Sequence, residues 1–288
     1  MNIESFLLNH DILYSAYKRS GLSRLWVSYI ISKRILYRMP NKSTEIVKIN
    51  GFKMKLISGD EQNEEFYMDS MTGKPYDPGT TKVITEKLNA GETFIDIGAN
   101  NGYFSLLASG IVGGSGKIFA FEPAPKTFRN LKENIVLNGM KNIQAFNIGL
   151  GKKKGKATFN LSNISSGQNS FVKIPQSSSS VLVDIDILDN IFSGKKIDFI
   201  KIDAEGYEEE ILEGGKKVLD ENRGIRLILE YSHNLLWMQG KNYDSLFRIL
   251  GEHGFEIKEI LPDCTLGMPI SSHRQLNSTL TNLFCERR

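Results

Sequence analysis

Residues 94–102 read Phe-Ile-Asp-Ile-Gly-Ala-Asn-Asn-Gly, and a second stretch, Phe119-Ala-Phe-Glu122-Pro, places Glu122 twenty residues beyond Gly102. Each stretch contains a short apolar run, typical of a buried strand, with a carboxylate at or near its end. In the first, the glycines permit a tight turn into a helix. An acidic side chain at the end of the second strand can accept both hydroxyl protons of a ribose. Together the two stretches predict a site for a ligand with a nucleoside.

The spacing of the glycines argues against a dinucleotide. The dinucleotide fingerprint is G-x-G-x-x-G, with a helix N-terminus facing a pyrophosphate, whereas this chain has Gly98-x-x-x-Gly102 and lacks the middle glycine. Asp96 at the strand end would repel a pyrophosphate but suits a cation. S-adenosylmethionine carries a sulfonium, an ammonium and a ribose without phosphate, so the acidic pair favours it over NAD. The glycine turn alone is also consistent with a turn that binds no ligand, an alternative that Glu122 makes less favoured.

Composition and charge narrow the class of protein. The 288 residues suffice for a full core, and a formal net charge of +3 is too small to indicate nucleic acid as a partner. Cys264 and Cys285 lack metal-ligand spacing, which predicts a reducing compartment or core packing. No apolar run reaches membrane-spanning length, and residues 1–4 lack the basic start of a secretory signal. A cytoplasmic protein is predicted.

Three regions are predicted along the chain: a helical basic arm at 1–40, a β-hairpin and cap segment at 41–90, and a cofactor-binding domain at 91–288. Residues 5–38 carry Lys and Arg among Leu, Trp, Tyr and Ile. We interpret them as an arm packed on its own domain, with weak membrane-surface or partner contact as the alternative. The sequence assigns no oligomeric state.

The cap segment has its own signals. Asn50-Gly51 between alternating apolar residues is a strong hairpin signal. Residues 60–80 are polar and turn-rich, and Tyr67, Tyr76 and Asp77 within them are candidates to cover a ligand.

From residue 92 onward, strand and helix patterns alternate, which predicts an α/β fold with a doubly wound, mostly parallel, seven-stranded Rossmann-like sheet. Strands are expected near 93–97, 117–121, 142–147, 197–202, 225–230, 255–260 and 279–285. Helices are expected near 80–89, 102–110, 125–138, 207–220 and 242–253. A Ser, Gly and Asn-rich loop at 162–180 interrupts the alternation; it has the composition of a mobile segment near a site or of an inert insertion.

A second acidic motif follows the predicted strand at 197–202. The chain reads Lys201-Ile-Asp203-Ala-Glu205-Gly206, and Glu230 ends a later strand with His233 just beyond it. Because ligands bind outside the carboxyl ends of parallel strands, these side chains are expected near Asp96 and Glu122.

Each of these residues also has a simpler interpretation. Glu205 suits helix capping, which stabilises by up to about 1 kcal/mol, and an isolated histidine such as His233 is more often a surface residue. Lys201 lies between two isoleucines in a strand that is expected to be covered on both faces. A buried lysine needs a partner, and the predicted carboxylates supply it.

These motifs resemble the FkbM-type family of S-adenosylmethionine-dependent methyltransferases over about residues 90–260. The resemblance rests on Asp96-Ile-Gly-Ala-Asn-Asn-Gly102, Phe121-Glu122-Pro123, Ile185-Asp186, Lys201-Ile-Asp203-Ala-Glu205-Gly206 and Leu229-Glu230. It implies O-methylation of hydroxyl groups on sugars, glycans or natural products. The family usually has valine where Ala204 stands and often a small residue where Tyr207 stands, so Tyr207 is expected to reshape the acceptor side.

The resemblance also implies roles for individual residues. Cofactor contacts are expected from Asp96 near the ammonium end, Glu122 at the ribose and Asn147 near the adenine, together with Gly98, Ala99, Asn100, Gly102 and Pro123. The acceptor side and catalysis are expected to involve Lys201, Asp203, Glu205, Glu230 and His233. No metal is assigned; a divalent ion between Asp203, Glu205 and Glu230 is the lower-ranked variant, because Lys201 can neutralise the same carboxylates.

Two other functions compete with this interpretation. A nicotinamide-dependent oxidoreductase on a similar sheet is disfavoured by the missing middle glycine and by Asp96. A non-catalytic protein that retains the fold to bind a partner is disfavoured because both acidic motifs are intact. The predicted partner is a small-molecule or glycan acceptor.

Overall fold

The computed structural model describes residues 44–173 and 177–287, so the predicted basic arm at 5–38 lies outside the described residues. In chain order the strands are β1 (Thr44–Ile49), β2 (Phe52–Ile57), β3 (Thr93–Ile97), β4 (Lys117–Phe121), β5 (Ile143–Phe146), β6 (Gly149–Leu150), β7 (Gly155–Ser162), β8 (Ser177–Asp186), β9 (Phe199–Ile202), β10 (Arg226–Ser232), β11 (Glu256–Ile260), β12 (Leu266–Ile270) and β13 (Leu280–Glu286).

The helices are α1 (Glu61–Thr72), α2 (Pro78–Lys87), α3 (Tyr103–Val112), α4 (Pro125–Leu137), α5 (Leu188–Phe192), α6 (Glu208–Glu213), α7 (Lys216–Glu221), α8 (His233–Met238) and α9 (Ser245–Glu252). The predicted helix at 207–220 is therefore two short helices, α6 and α7. Gly214 and Gly215 separate them, and glycine is a poor helix former.

The main sheet has the strand order β12-β11-β13-β10-β9-β3-β4-β5. Strands β10, β9, β3, β4 and β5 are parallel, and β13, β11 and β12 add antiparallel pairs. The α/β fold and the mostly parallel central sheet are confirmed. The chain winds outward from β3 to β5 and later returns to β9 on the other side of β3. The boundary between the paired strands β3 and β9 is thus the switch point of the sheet. Ligands bind at the switch point in such sheets.

The described sheet has eight strands instead of the predicted seven, because β12 extends its antiparallel end. Its sequence contains Gly267 and Pro269, both poor strand formers, which hid it from the pattern. Proline is tolerated there because β12 is an edge strand and its backbone N–H groups need not all be paired.

Both faces of the sheet are covered, as parallel strands require. Side chains alternate between the faces, so Phe94, Phe199 and Ile228 pack in one core while their neighbours Ile95, Ile200 and Leu229 pack in another. Asp96, Lys201 and Glu230 lie two residues beyond the first three. They therefore share a face at the carboxyl edge.

The hairpin β1–β2 forms as the Asn50-Gly51 signal predicts, with φ of +47° at Asn50 and +89° at Gly51. It docks on the C-terminal end of α4 through the side chains of Asn134 and of the C-cap residue Asn138. Oδ1 of Asn134 accepts from the backbone N–H of Lys55 at 2.7 Å, and Oδ1 of Asn138 accepts from that of Lys53 at 2.9 Å. The outer edge of β2 is therefore hydrogen-bonded by a helix rather than by another strand.

Two further parts lie over the carboxyl edge of the sheet. Helix α1 occupies residues that were expected to be turn-rich; Asp60 caps it, its side chain accepting from the N–H of Gln62 at 3.0 Å. Strands β6, β8 and β7 form a small second sheet beside the Ser, Gly and Asn-rich loop. Among the described residues, no helix combines the length and apolar character needed to cross a bilayer.

Candidate functional site

The turn after β3, residues 98–102 (the glycine turn), brings β3 against the end of β9. The N–H groups of Gly98 and Ala99 both donate to the carbonyl of Phe121 at 3.0 Å. Gly98 has φ of +75°, and a Cβ there would lie 1.8 Å from the carbonyl oxygen of Asp203. Only glycine fits, because the two strand ends nearly touch at the switch point.

Glu122, which follows β4, is held by backbone amides. Its Oε2 accepts from the N–H of Asn100 at 3.0 Å and its Oε1 from that of Ala124 at 2.8 Å. Burial raises the pKa of Glu122 to about 7, against the two amides, which lower it. Each carboxylate oxygen accepts up to two hydrogen bonds, so both retain capacity for a ligand hydroxyl.

A cavity opens at the carboxyl edge of the sheet, and Lys201 forms a buried ion pair at its bottom. Its Nζ lies 3.0 Å from Oδ2 of Asp203 and 3.9 Å from Oδ1 of Asp96, and it lies over the ring of Phe104. Burial disfavours its charge, but Asp203 and Asp96 outweigh burial and raise the pKa of Lys201. The expectation that a buried lysine here needs a carboxylate partner is confirmed.

Asp203, Glu205 and Glu230 (the carboxylate cluster) face the same cavity, and one carboxylate oxygen of each lies within 4.8 Å of the others. The pKa values of Glu205 and Glu230 are raised well above the ordinary value, mainly by burial. Repulsion from neighbouring carboxylates raises both pKa values further. Glu205 has φ of +51°, uncommon for a residue with a side chain.

Glu208, which sequence reasoning missed, supports this corner. Its Oε1 accepts from the N–H groups of Ala204 at 3.0 Å and Gly206 at 3.2 Å, and burial raises its pKa to about 7. Glu208 thus fixes the turn between β9 and α6, and the N-cap of α6 is Tyr207, without a side-chain hydrogen bond. The signal for Glu208 was an acidic residue at the first position of a helix.

Residues 163–171 (the strap) cover the cavity. The N–H of Ser166 donates to the Asp60 carboxylate at 3.2 Å, and the Ser170 hydroxyl donates to the carbonyl of Glu205 at 2.6 Å. Ser166, Gly167, Asn169 and Phe171 line the cavity. The polar loop therefore forms part of the site and is not an inert insertion.

Aromatic and apolar side chains complete the walls. Phe66 of α1 packs on Tyr76, whose ring lies 4.5 Å away between centroids, and both line the cavity with Gln62. Of the three candidates to cover a ligand, Tyr76 lines the cavity, whereas Tyr67 and Asp77 do not. Phe66 and Gln62 were missed because the helix that carries them was not predicted.

Nine of the predicted site residues line this cavity: Gly98, Ala99, Asn100, Glu122, Pro123, Lys201, Asp203, Glu205 and Glu230. They come from the ends of β3, β4, β9 and β10, which meet at one edge because those strands are parallel.

The positions of Asp96 and Gly102 correct their expected roles. Asp96 is 1% exposed, and its Oδ2 accepts from the hydroxyl of Ser105 at 2.6 Å, so it holds Lys201 from below instead of reaching a ligand's ammonium. Gly102 is the N-cap residue of α3, where a Cβ would lie 2.5 Å from Leu131. Its absent side chain makes room for α4.

Asn147 and His233 also differ from expectation. The Asn147 side-chain amide donates to the carbonyls of Glu122 at 2.9 Å and Pro123 at 3.0 Å, so it fixes that turn without lining the cavity. His233 lies beyond the cavity because β10 continues two residues past Glu230. Its ring packs on Tyr243, with 3.7 Å between centroids, and its N–H donates to the carbonyl of Thr279.

The lining suits a ligand that combines a nucleoside with positive charge. Glu122 offers acceptors for ribose hydroxyls, and Phe121, Leu150 and Phe159 offer apolar surface for a base. Four carboxylates and one ammonium line the cavity, so its formal charge is −3 when all are ionised. A negative lining attracts a cation and repels a pyrophosphate.

Known proteins share this arrangement in sequence. The model of the methyltransferase FkbM domain matches residues 96–257. A protein named Methyltransferase 1 from Beauveria bassiana (strain ARSEF 2860) is 29% identical over 142 residues, which cover 42% of this chain and 57% of that protein. The chain therefore spans little more than half the length of this relative.

Solved structures are similar at low identity. A SAM-dependent O-methyltransferase from Thermotoga maritima is 15% identical, with coverage of 84% of this chain and 77% of that one and a TM-score of 0.43. A Streptococcus mutans protein in complex with SAH is 14% identical, with coverage of 73% and 96% and a TM-score of 0.44.

The family match covers more than half of the chain and includes both acidic motifs. It also coincides with the region, about 90–260, over which the sequence resembles the family. This chain belongs to the FkbM family of S-adenosylmethionine-dependent methyltransferases.

Proposed function

We propose that this chain transfers the methyl group of S-adenosylmethionine to a hydroxyl group of a sugar, a glycan or a related natural product. The observation that carries this proposal is the carboxylate cluster, whose three members line the same cavity as Glu122. Carboxylates accept hydrogen bonds from hydroxyl groups and can take up the proton that an attacking hydroxyl loses.

On the cofactor side, Glu122 binds the ribose hydroxyls through the acceptor capacity that its two amide bonds leave free. Gly98, Ala99 and Asn100 line the path of the amino acid portion, and the absence of a side chain at Gly98 lets this turn lie against the carbonyl of Asp203. Asp96 and Lys201 act from below by fixing Asp203. Positioning of this kind supplies several kcal/mol towards methyl transfer.

On the acceptor side, Asp203 and Glu205 orient the hydroxyl and favour loss of its proton. S-adenosylmethionine supplies an electrophilic methyl on a sulfonium; the C–S electron pair stays on sulfur and gives S-adenosylhomocysteine. A lone pair of the hydroxyl oxygen forms the new C–O bond, and its proton passes to a carboxylate oxygen of the cluster. Asp203 is suited to pass the proton on, since about a third of its side chain is exposed.

The function is tested by comparing Asp203→Asn and Glu205→Gln, which change the acceptor side, with Glu122→Ala, which changes the cofactor side. The first two keep side-chain shape, so we expect S-adenosylhomocysteine binding by calorimetry to stay near that of the wild type. Single-turnover methyl transfer to a panel of sugar acceptors is expected to fall by ~10²–10⁴-fold. Glu122→Ala is expected to lose most cofactor binding and most of the stabilisation by S-adenosylhomocysteine in a thermal shift.

The matched control is Glu252→Gln, an exposed residue of α9 whose partner is Arg248. The product is expected to be an ether, which survives mild alkali, whereas a methyl ester does not. Unchanged transfer in both carboxylate variants would remove the cluster from the reaction. Stabilisation by NAD and not by S-adenosylhomocysteine would contradict the proposal. A cytoplasmic location and the glycan acceptor are parts of this proposal.

A further inference from the structure

We propose that Asp203, Glu205 and Glu230 bind a divalent metal cation, of the hard class that includes Mg²⁺, Mn²⁺ and Ca²⁺. One oxygen of each carboxylate lies within 4.8 Å of the others. Calcium bonds of about 2.3–2.6 Å place opposite ligand oxygens about 4.6–5.2 Å apart, and adjacent ones closer. The three oxygens are thus already within the span of one coordination sphere.

The second observation is an unpartnered atom. Oε2 of Glu230 is buried and has no hydrogen-bond partner among the described residues, although its side chain lines the cavity. Asn282 lies directly opposite Glu230 in the β10–β13 ladder, but its amide donates to Asp77 and Thr80 instead. A buried carboxylate oxygen without a donor is costly unless a ligand satisfies it.

The described ion pairs do not neutralise the whole carboxylate cluster, so a further cation would be attracted to it. In the described ion pairs, Lys201 is the cation that reaches the cluster, and it does so through Oδ2 of Asp203 alone. Its remaining ion pair is with Asp96, below the cavity. Oε1 of Glu208 accepts from two backbone amides, so it is not a competing ligand. Lys201 therefore neutralises one of the three carboxylates, and Glu205 and Glu230 are left facing each other.

The sum of charges in the cavity with S-adenosylmethionine bound also indicates a divalent ion. A metal binds carboxylates in their ionised form. With all of its groups ionised the lining has a formal charge of −3, and S-adenosylmethionine, with a sulfonium, an ammonium and a carboxylate, brings +1. A divalent cation would make the sum zero. The donor set contains only carboxylate oxygens, which suit Mg²⁺, Mn²⁺ and Ca²⁺ and not the metals that prefer imidazole or thiolate.

The role of the ion rests on the proposed function. Three protein oxygens leave about three positions of a six-coordinate ion for water or the acceptor. An acceptor hydroxyl bound there would be held beside the methyl group and made more acidic. Its proton would pass, as in the proposed function, to a carboxylate oxygen of the cluster that does not bind the ion, and then to the solvent that reaches the partly exposed Asp203. From the sequence, Lys201 was expected to neutralise the whole cluster, whereas in the structure its ion pair with the cluster is limited to Asp203.

Direct binding of Mn²⁺ tests the site without any need for methyl transfer. Full-length protein freed of metal by a chelator is titrated with Mn²⁺ and followed by electron paramagnetic resonance and calorimetry. We expect one ion per chain in the wild type. Binding is expected to be weakened by about 100-fold or more in Glu230→Gln and Glu205→Gln, because loss of even outer-shell partners of metal sites weakens binding by 10–100-fold. Glu252→Gln is expected to bind as the wild type does.

Two further measurements keep the result decisive. In metal-free buffer, Glu230→Gln is expected to unfold no earlier than the wild type, which excludes misfolding as the cause of lost binding. S-adenosylhomocysteine binding is measured on the same samples, so a failure of the proposed function is seen separately from a failure of the metal site. The proposal is overturned if the wild type binds no Mn²⁺ at millimolar concentration, or if Glu230→Gln binds it equally well.

Discussion

The two walls of the cavity hold their carboxylates in different ways. Glu122 is buried, but each of its oxygens accepts a backbone N–H, from Asn100 or from Ala124. Glu205 and Glu230 are half-buried beside other carboxylates, and the buried Oε2 of Glu230 lacks a donor among the described residues. A buried carboxylate that accepts backbone N–H groups is stabilised by the fold itself. Carboxylates that lie beside other carboxylates are costly unless a ligand offsets their charge.

The largest expected effect comes from breaking the contact between the walls. Gly98→Ala would place a Cβ 1.8 Å from the carbonyl oxygen of Asp203, at φ of +75°. The ends of β3 and β9 would have to separate, and we expect the free energy of unfolding to fall by about 4 kcal/mol or more. Chemical denaturation measures this loss, and S-adenosylhomocysteine binding is expected to disappear with it.

The control is Gly139→Ala, since Gly139 has φ of +65° and a Cβ added there would have nothing within 4 Å. It carries the same backbone strain without a collision, so it is expected to cost about 1–2 kcal/mol. Equal losses in the two variants would show that the close approach of the strand ends contributes nothing.

An intermediate effect is expected from the wall that contains Glu122. Its pKa is raised from 4.5 to about 7, chiefly by burial. The folded state then holds a proton that the unfolded state has released, so the free energy of unfolding falls as the pH rises from 4.5 to 7. For one such group the fall is roughly 3 kcal/mol. Glu122→Gln is expected to remove this part of the pH dependence.

The measurement is the free energy of unfolding of wild type and Glu122→Gln across this pH range, without cofactor. The difference in slope is the observable, because the absolute stability of the variant also includes the effect of placing an amide N–H₂ opposite a backbone N–H. Parallel curves would mean that Glu122 titrates equally in the folded and unfolded chains.

The smallest expected effect concerns the strap over the carboxylate cluster. Ser170→Ala removes the hydroxyl that donates to the carbonyl of Glu205 at 2.6 Å and accepts from the N–H of Val172 at 2.8 Å. We expect a loss of stability of about 1 kcal/mol. Methyl transfer is expected to fall while S-adenosylhomocysteine binding stays constant, since the strap holds Glu205 and not Glu122.

Ser178→Ala is the matched control for the strap, because its hydroxyl is exposed and makes one long bond, of 3.4 Å, to the carbonyl of Leu161. It is expected to leave both stability and transfer unchanged. A loss of cofactor binding in Ser170→Ala would show that the strap acts on both walls alike and would weaken the contrast between them.

The sequence predicted the strand ends well and the covering parts poorly, for a physical reason. Asp96, Glu122 and Asp203 lie at the ends of buried strands, and parallel strands bring their carboxyl ends to one edge whatever the loops do. His233 follows the same rule in sequence, but β10 runs on to Ser232 and carries it past the cavity. A count of residues from a motif cannot give the length of a strand.

Helix α1 could not be predicted from the spacing of apolar residues in the sequence. Phe66 is its buried apolar residue, and the remaining buried positions, Asn63 and Glu64, are polar, so no apolar stripe marks the helix. It is fixed by tertiary contacts: the Asn63 amide donates to the carbonyl of Ile57, and its oxygen accepts from Asn101. Such partners come from distant parts of the chain and leave no local pattern.

The asparagines of α4 that bind β2 have a consequence for the behaviour of the chain in a crowded solution. A free edge strand is a template on which a second chain can add a strand and begin an aggregate. Asn134 and Asn138 occupy the backbone N–H groups of Lys55 and Lys53 on that edge. The hairpin is thereby closed to intermolecular pairing on this side by two side-chain amides that occupy a single turn of helix surface.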